Sequence, residues 1–317
     1  MTPKDLNVCV LPFHIIWDNI ERNIGNFNDA VSKIHPKTDL LVLPETFLTG
    51  FPINKSVDEI RYLIQSSQER IIQLLFHIAK HCNIAICGSI IMDISENFTF
   101  NSPHQISDSV SFNINDESPS KLINAAFFIE PNGEIYISPK SHLFSLAGEN
   151  KIFNSSKDKL IVRYRGWNIA LGVCYDVRFP VWSRNRNNEY DLLIYVANWP
   201  ETRIGAWEKL LPARAIENQS YVIGVNCEGT DNKGNIYNGK SAILNFKGDV
   251  ILDYSCENEL IPVNSDQKIE KNDDSLSGDE ENNYRQTLLY AKLSSEKLRD
   301  FRLKFPAWKD ADNFTIL

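Results

Sequence analysis

Apolar positions along the chain follow two rhythms. The first is a short unbroken run, the signature of a strand buried on both faces. Residues 6–12, 40–43, 83–91, 122–129, 160–164, 167–173, 191–197 and 221–225 read this way, and 286–293 is a late strand. The second is helical spacing. Ile20, Ile24, Phe27, Val31 and Ile34 follow it, with Asp18 or Asn19 as the cap and Pro36 as the stop. Ile71, Leu74, Leu75, Ile78 and His81 repeat it behind Ser66 or Ser67. Further helices are predicted over 207–218, where Pro212 bends the helix or marks its first turn, and from 294 to 302. Residues 122–129 and 134–137 form a hairpin around Pro131-Asn132-Gly133, and 241–245 and 249–254 form another around Lys247-Gly248. Strands alternating with helices, but joined partly by hairpins, predict a mixed sheet layered with helices.

Two stretches break these rhythms. Residues 92–121 are rich in Ser, Asn and Asp and read as a long excursion. Residues 256–283 carry nine acids against two lysines, so this one segment accounts for nearly all of the net charge of −8. The rest of the chain is close to neutral, which argues against a nucleic-acid binder. A 43% hydrophobic fraction over 317 residues supports a sizeable core. No charged-then-apolar leader opens the sequence, and no apolar run reaches the roughly 18 residues of a membrane span. Cys9, Cys82, Cys87, Cys174, Cys227 and Cys256 show no disulfide framework spacing. The expectation is a soluble cytoplasmic protein with reduced thiols. His77 and His81 stand four apart, as zinc ligands can, but Ile78 occupies the place of a catalytic glutamate and no third ligand is evident. No metal is expected.

Candidate chemistry gathers where strands end. The stretch 168–182, NIALGVCYDVRFPVW, runs apolar to Val173 and then breaks at Cys174-Tyr175-Asp176, with Pro180 limiting any continuation. A cysteine entering a tight turn from a buried strand has the geometry of a nucleophile elbow; alternatively it is a small core residue. Glu45 is the first charged residue past strand 40–43, and Lys140 follows strand 134–137. Each has an ordinary explanation as a loop or surface residue. Together they supply a base, a cation and a nucleophile, as amide hydrolysis through a thioester requires.

LVLPETF, PKSHLF and GVCYDVRFP resemble the Glu, Lys and Cys motifs of the nitrilase superfamily of carbon–nitrogen hydrolases, in order and separation. The resemblance continues through YVANWPETR, LPARAIENQSYV and NFKGDVI to KFPAWKDADNF, and those later features are most similar to the small ω-amidases, which deamidate 2-oxoglutaramate and 2-oxosuccinamate. It implies one carbon–nitrogen hydrolase domain over 1–317, folded as a four-layer αββα sandwich and paired into a homodimer, with a C-terminal tail from about 298. It implies Cys174 as nucleophile, Glu45 as general base, Lys140 as the cation beside the oxyanion, and Glu149 as a second glutamate that positions substrate. The LAGEN motif around Glu149 is the least distinctive of these. No metal or organic cofactor is implied. A free cysteine titrates near pH 8.5, so a neighbouring base or cation must make thiolate available.

By the elbow geometry, the Tyr175 N–H is the natural second oxyanion donor. The carboxylate of a 2-oxo acid amide calls for a cation, and Arg203 suits it better than Arg178, which sits in a widely shared motif and reads as structural. Asn198, at the end of strand 191–197, also faces this end of the sheet. Trp199 and Phe51 suit either the pocket wall or the core. Other readings are a different small amide or a nitrile handled by the same residues, and a binding module on the same fold.

Overall fold

A computed structural model of the chain describes residues 4–52, 54–65, 67–95, 120–251 and 287–315. The excursion expected over 92–121 falls mostly outside the described residues, and the acidic segment 256–283 wholly so.

The first part of the chain runs β1 (Leu6–Val10), α1 (Ile20–Val31), β2 (Leu40–Val42), α2 (Val57–Gln65), α3 (Gln68–Cys82), β3 (Ala85–Asp93), β4 (Leu122–Ile129), β5 (Ile135–Pro139) and β6 (Phe153–Asn154). There follow β7 (Leu160–Tyr164), β8 (Trp167–Val173), a one-turn α4 (Pro180–Ser183), β9 (Leu192–Ala197), α5 (Ile204–Asn218) and β10 (Tyr221–Asn226). A hairpin of β11 (Glu228–Thr230) and β12 (Ile236–Asn238) precedes β13 (Ala242–Leu244), and β14 (Leu289–Leu293) leads into α6 (Ser295–Lys304).

These strands form two mixed sheets. One has the order β14-β1-β2-β3-β4-β5, with β6 beside β4; the other has the order β13-β10-β9-β8-β7. β1, β2 and β3 run parallel, as do β8, β9 and β10, with antiparallel strands at the flanks. The period of two along each strand explains the layering. Val8, Val10, Leu40 and Val42 of the first sheet meet Ile169, Leu171, Ile194, Val196 and Ile223 of the second in a shared core. The alternate residues face outward under helices: Cys9, Leu41 and Ile86 under α1 and α3, and Leu193, Tyr195 and Val222 under α5. Both faces of the central strands are therefore apolar, and the runs appear unbroken in the sequence. The architecture is the expected αββα sandwich. No helix among the described residues is long and apolar enough to cross a membrane.

Local signals explain most element ends. Asn19 caps α1 by accepting from the Arg22 N–H at 3.1 Å, while Asp18 pairs instead with Lys55 at 2.9 Å. Ser67 precedes α3, but its hydroxyl donates back to the Ile64 carbonyl rather than capping. The pattern reading passes over α2, although its start carries a reciprocal capping box: Ser56 N donates to Glu59 Oε2 at 2.7 Å and Glu59 N donates to Ser56 Oγ at 3.3 Å. Helix α5 begins at Ile204, earlier than the spacing suggests, and carries Pro212 in its interior.

Close packing of α5 on its sheet sets a sharp steric limit. A Cβ added at Gly224 would lie 2.3 Å from Leu211 Cδ1 and 2.9 Å from the Trp207 ring, whereas one at Gly205 would meet nothing within 4 Å. Gly224→Ala is expected to cost about 1–3 kcal/mol by overpacking. Gly205→Ala, in the first turn of α5, is expected to be neutral or stabilising by about 0.5–1 kcal/mol. Urea unfolding of the two variants beside wild type checks the pair, and equal stabilities would contradict this account of the packing.

Candidate active site

The carboxyl ends of β2, β5, β8 and β9 converge, and the side chains just beyond them meet in one buried cluster. Glu45, Lys140 and Glu149 are all at most 2% exposed. The Lys140 ammonium lies between the two carboxylates, 3.1 Å from Glu45 Oε1 and 3.0 and 2.9 Å from the two oxygens of Glu149. Asn124, inside β4, holds the same pair from below, donating to Glu45 Oε1 at 2.7 Å and to Glu149 Oε1 at 3.4 Å. Its own carbonyl accepts from Ser89 Oγ at 3.0 Å, and Ser89 accepts from the Thr46 N–H at 3.0 Å. The second oxygen of Glu45 accepts from the Asn198 N–H at 2.9 Å, tying the end of β2 to the end of β9 across the two sheets. Glu149 is fixed by the Phe144 N–H at 2.6 Å. The two carboxylates, the ammonium and the Asn124 amide are thus matched to partners, as buried polar groups usually are, while Asn198 Oδ1 is buried without one.

Cys174 enters this cluster from β8 with φ of +47°, a left-handed conformation uncommon for a residue with a side chain. The turn after it over-determines that strain. Asp176, 1% exposed, accepts from the Val173 N–H at 2.8 Å through one oxygen and from the His142 N–H at 2.8 Å through the other. On the far side Arg214 of α5 forks onto the Val177 carbonyl at 3.0 and 2.8 Å. A Cβ at Gly172 would lie 2.8 Å from the Tyr195 ring, so the strand approaches as closely as its glycine permits.

Electrostatics separate the roles these groups can take. Burial pushes the Cys174 thiol well up, and the nearby Glu45 carboxylate pushes the same way against the opposing Lys140; the thiol itself donates to the Asn198 carbonyl at 3.9 Å. The resting sulfur is therefore a thiol with a carboxylate base nearby. Burial alone would lower Lys140, but Glu149 and Glu45 outweigh it and hold the ammonium well above the usual lysine range. Burial raises the Glu149 carboxyl, with Lys140 opposing. The set is a thiol, a base that can take its proton, and a fixed cation, which suffices chemically for attack on an acyl carbon.

A pocket of about 280 Å³ opens over this cluster, at the small end for ligand sites. Glu45, Lys140, Glu149 and Cys174 form its floor, with Asn198 beside them; Phe51, Phe144, Pro200 and Arg203 reach it from the walls. Asn198 Nδ2 donates to Thr46 Oγ1 at 2.8 Å. Trp199 does not line the pocket. It is 3% exposed, its indole donates to the Arg203 carbonyl at 2.8 Å, and it packs between Trp207 and the Arg178 guanidinium. Arg178 is likewise outside the pocket, whereas the Arg203 guanidinium lies over the Phe144 ring at 5.2 Å. The Tyr175 ring packs on Phe144 and Phe179, also outside it.

Residues not foreseen include Asn124, Asp176 and Arg214 in support, and Lys233, Asn235 and Tyr237, which the β11–β12 hairpin brings to the pocket. His77 and His81 stack as parallel rings 5.9 Å apart on α3. Among the described residues, no group of three or more His, Cys, Asp or Glu is placed to hold a metal ion.

Comparison with known proteins bears on the same arrangement. The chain is 32% identical over 311 residues to the omega-amidase YafV of Escherichia coli K12, covering 98% of each. It is 27% identical over 264 residues to the 2-oxoglutaramate amidase of Bacillus subtilis, covering 82% of this chain and 90% of that one. Among solved structures, a CN-hydrolase superfamily protein from Xanthomonas campestris with an arsenic adduct in its active site superposes with a TM-score of 0.74 at 26% identity, over 99% of both chains. The carbon-nitrogen hydrolase family model matches residues 14–270. By its sequence, its sandwich and the cluster at its strand ends, the chain belongs to the carbon-nitrogen hydrolase family.

Proposed function

We propose that this chain is an ω-amidase, hydrolysing the terminal amide of 2-oxoglutaramate or 2-oxosuccinamate to the 2-oxo dicarboxylate and ammonia. The observation that carries the reading is the convergence of Cys174, Glu45 and buried Lys140 on one small pocket whose lining includes Arg203. Full-length similarity to proteins named omega-amidase supports the substrate class.

In the proposed reaction Glu45 takes the Cys174 proton as the sulfur attacks the amide carbon. The oxyanion is met by Lys140 and by the Tyr175 N–H. The carbon–nitrogen bond breaks as Glu45 returns the proton to the leaving nitrogen, releasing ammonia and leaving a Cys174 thioester. Water, giving its proton to Glu45, then attacks the thioester, and the sulfur leaves and is reprotonated. Glu149 holds Lys140 between the two carboxylates throughout, so the cation does not have to find its place as charge develops. Arg203 meets the substrate carboxylate, with Phe51 and Asn198 lining the pocket. The same reading gives one domain over 1–317, acting as a cytoplasmic homodimer.

The direct test is ammonia release from 2-oxoglutaramate, beside glutamine, asparagine and a simple nitrile. Release is expected from the 2-oxo amide, with kcat lowered by on the order of 10⁴-fold or more in Cys174→Ala and by about 10²–10⁴-fold in Glu45→Gln. Release from another substrate alone would keep the chemistry and remove the substrate assignment. Folded protein that releases ammonia from none of them would favour a binding module.

A second expectation follows from the raised thiol. Because the Cys174 pKa lies above its ordinary value, the thiolate fraction at pH 7 is small and grows about tenfold per pH unit below that pKa. Inactivation of the free enzyme by iodoacetamide should therefore accelerate with pH and reach no plateau by pH 9. A plateau below pH 8 would show a thiolate already formed at rest.

A further inference from the structure

Charge is distributed unevenly between the floor of the pocket and its mouth. On the floor the one ammonium, Lys140, is shared by two carboxylates beside the reacting carbon's place and is remote in role from the far end of a substrate. At the mouth stand two cations from separate elements, Arg203 ahead of α5 and Lys233 in the turn between β11 and β12. Neither is ion-paired with another described residue. Both are exposed enough to meet a ligand from solvent.

The turn that carries Lys233 is held far more firmly than a solvated surface loop. Asp231, 5% exposed, anchors it through both oxygens. One accepts from the backbone N–H groups of Lys233 and Asn235 at 2.8 and 3.0 Å. The other accepts from Asn235 Nδ2 at 2.8 Å and from the Tyr237 hydroxyl at 3.0 Å. Burial raises the Asp231 carboxyl, but these donors outweigh it and hold it below the usual range, so it is a carboxylate at neutral pH. The Tyr237 ring stacks on Trp17 at 4.9 Å, and the Trp17 indole donates to the Phe51 carbonyl at 3.3 Å. The hairpin is thus braced, through Trp17, against the segment that brings Phe51 to the pocket.

We propose that Lys233 is a specificity-determining residue: with Arg203 it clamps the carboxylate of the 2-oxo acid amide while the amide end reaches Cys174, and Asp231 is the positioning residue that holds the clamp in place. The inference rests on the ω-amidase reading and names the group that selects its substrate. Two cations lining one pocket, on neighbouring elements joined by the Asn238 to Glu201 hydrogen bond at 3.2 Å, suit a carboxylate, which accepts through two oxygens. A neutral amide of the same length makes no use of them.

The test compares kcat/KM for 2-oxoglutaramate with that for 4-oxopentanamide, in which a methyl group replaces the carboxylate. Wild type should prefer the anionic amide. In Lys233→Met that preference should fall about tenfold, chiefly through the KM for 2-oxoglutaramate, and Lys233→Arg should restore most of it. Asp231→Asn should lower the same ratio, whereas damage to the fold would lower both rates and leave the ratio alone. A Lys233→Met enzyme with the wild-type ratio overturns the clamp while leaving the ω-amidase reading intact. Equal losses in Lys233→Met and Lys233→Arg would assign the effect to the shape of the turn and also overturn it. Wild type that prefers 4-oxopentanamide overturns the ω-amidase reading, and the clamp with it.

Discussion

A single buried ammonium holds the site together. Lys140, 2% exposed, lies against Glu45 and Glu149, and none of the three would tolerate that depth alone. Desolvating one ion costs several kcal/mol, recovered only when opposite charges and hydrogen bonds close around it. Asn124, the Phe144 N–H and the Asn198 N–H complete that closure. Because the donors come from β4, from the loop after β5 and from the end of β9, the cluster sets the relative position of both sheets at their carboxyl ends. Removing Lys140 would leave two carboxylates facing each other in a dry site, so its structural and proposed chemical roles are inseparable.

The elbow depends on a second set of contacts. Cys174 is held at positive φ because its neighbours leave no alternative: Asp176 ties the strand end to the His142 loop, and Arg214 ties the next turn to α5. The Asp176 contact also links Cys174 to Lys140, since His142 lies two residues past it. The sulfur and the ammonium are therefore placed by one buried carboxylate that touches neither. Such preorganisation keeps the reacting groups aligned without a rearrangement during the reaction.

The sandwich was legible because its strands are buried on both faces and so stand out as unbroken apolar runs. Glu45, Lys140 and Cys174 were legible because each follows such a run directly. What escaped has physical reasons. Asn124 lies within an apolar strand, where pattern reading treats one polar residue as an exception, although a buried Asn there needs partners of its own. Trp199 follows the strand end as a pocket wall would, but α5 offers it Trp207 and a deeper burial. The β11–β12 hairpin has no apolar alternation in Glu228–Thr230 or Ile236–Asn238. Its signal is turn chemistry instead: Asp231, Gly234 and Asn235 in five residues. Asp231 does what short acidic side chains do in turns, and only the fold reveals that Lys233 rides on it into the pocket.

The charge layout also bears on the direction of the reaction. An amide is neutral, so its passage to a floor already holding two carboxylates and one ammonium meets no repulsion. The product differs in carrying a second carboxylate at that end. Under the proposed reading, the new anion meets two like charges, Glu45 and Glu149, beside the one ammonium they share. At a separation of about 4 Å and an effective dielectric of about 20, each like-charge contact opposes the acid by about 4 kcal/mol before the attraction of Lys140 is counted. In the proposed clamp Arg203 and Lys233 hold the far carboxylate of substrate and product alike, so they do not discriminate between the two. On the same proposal, discrimination lies at the floor, where the buried pair that anchors Lys140 admits the neutral amide and disfavours the acid it becomes.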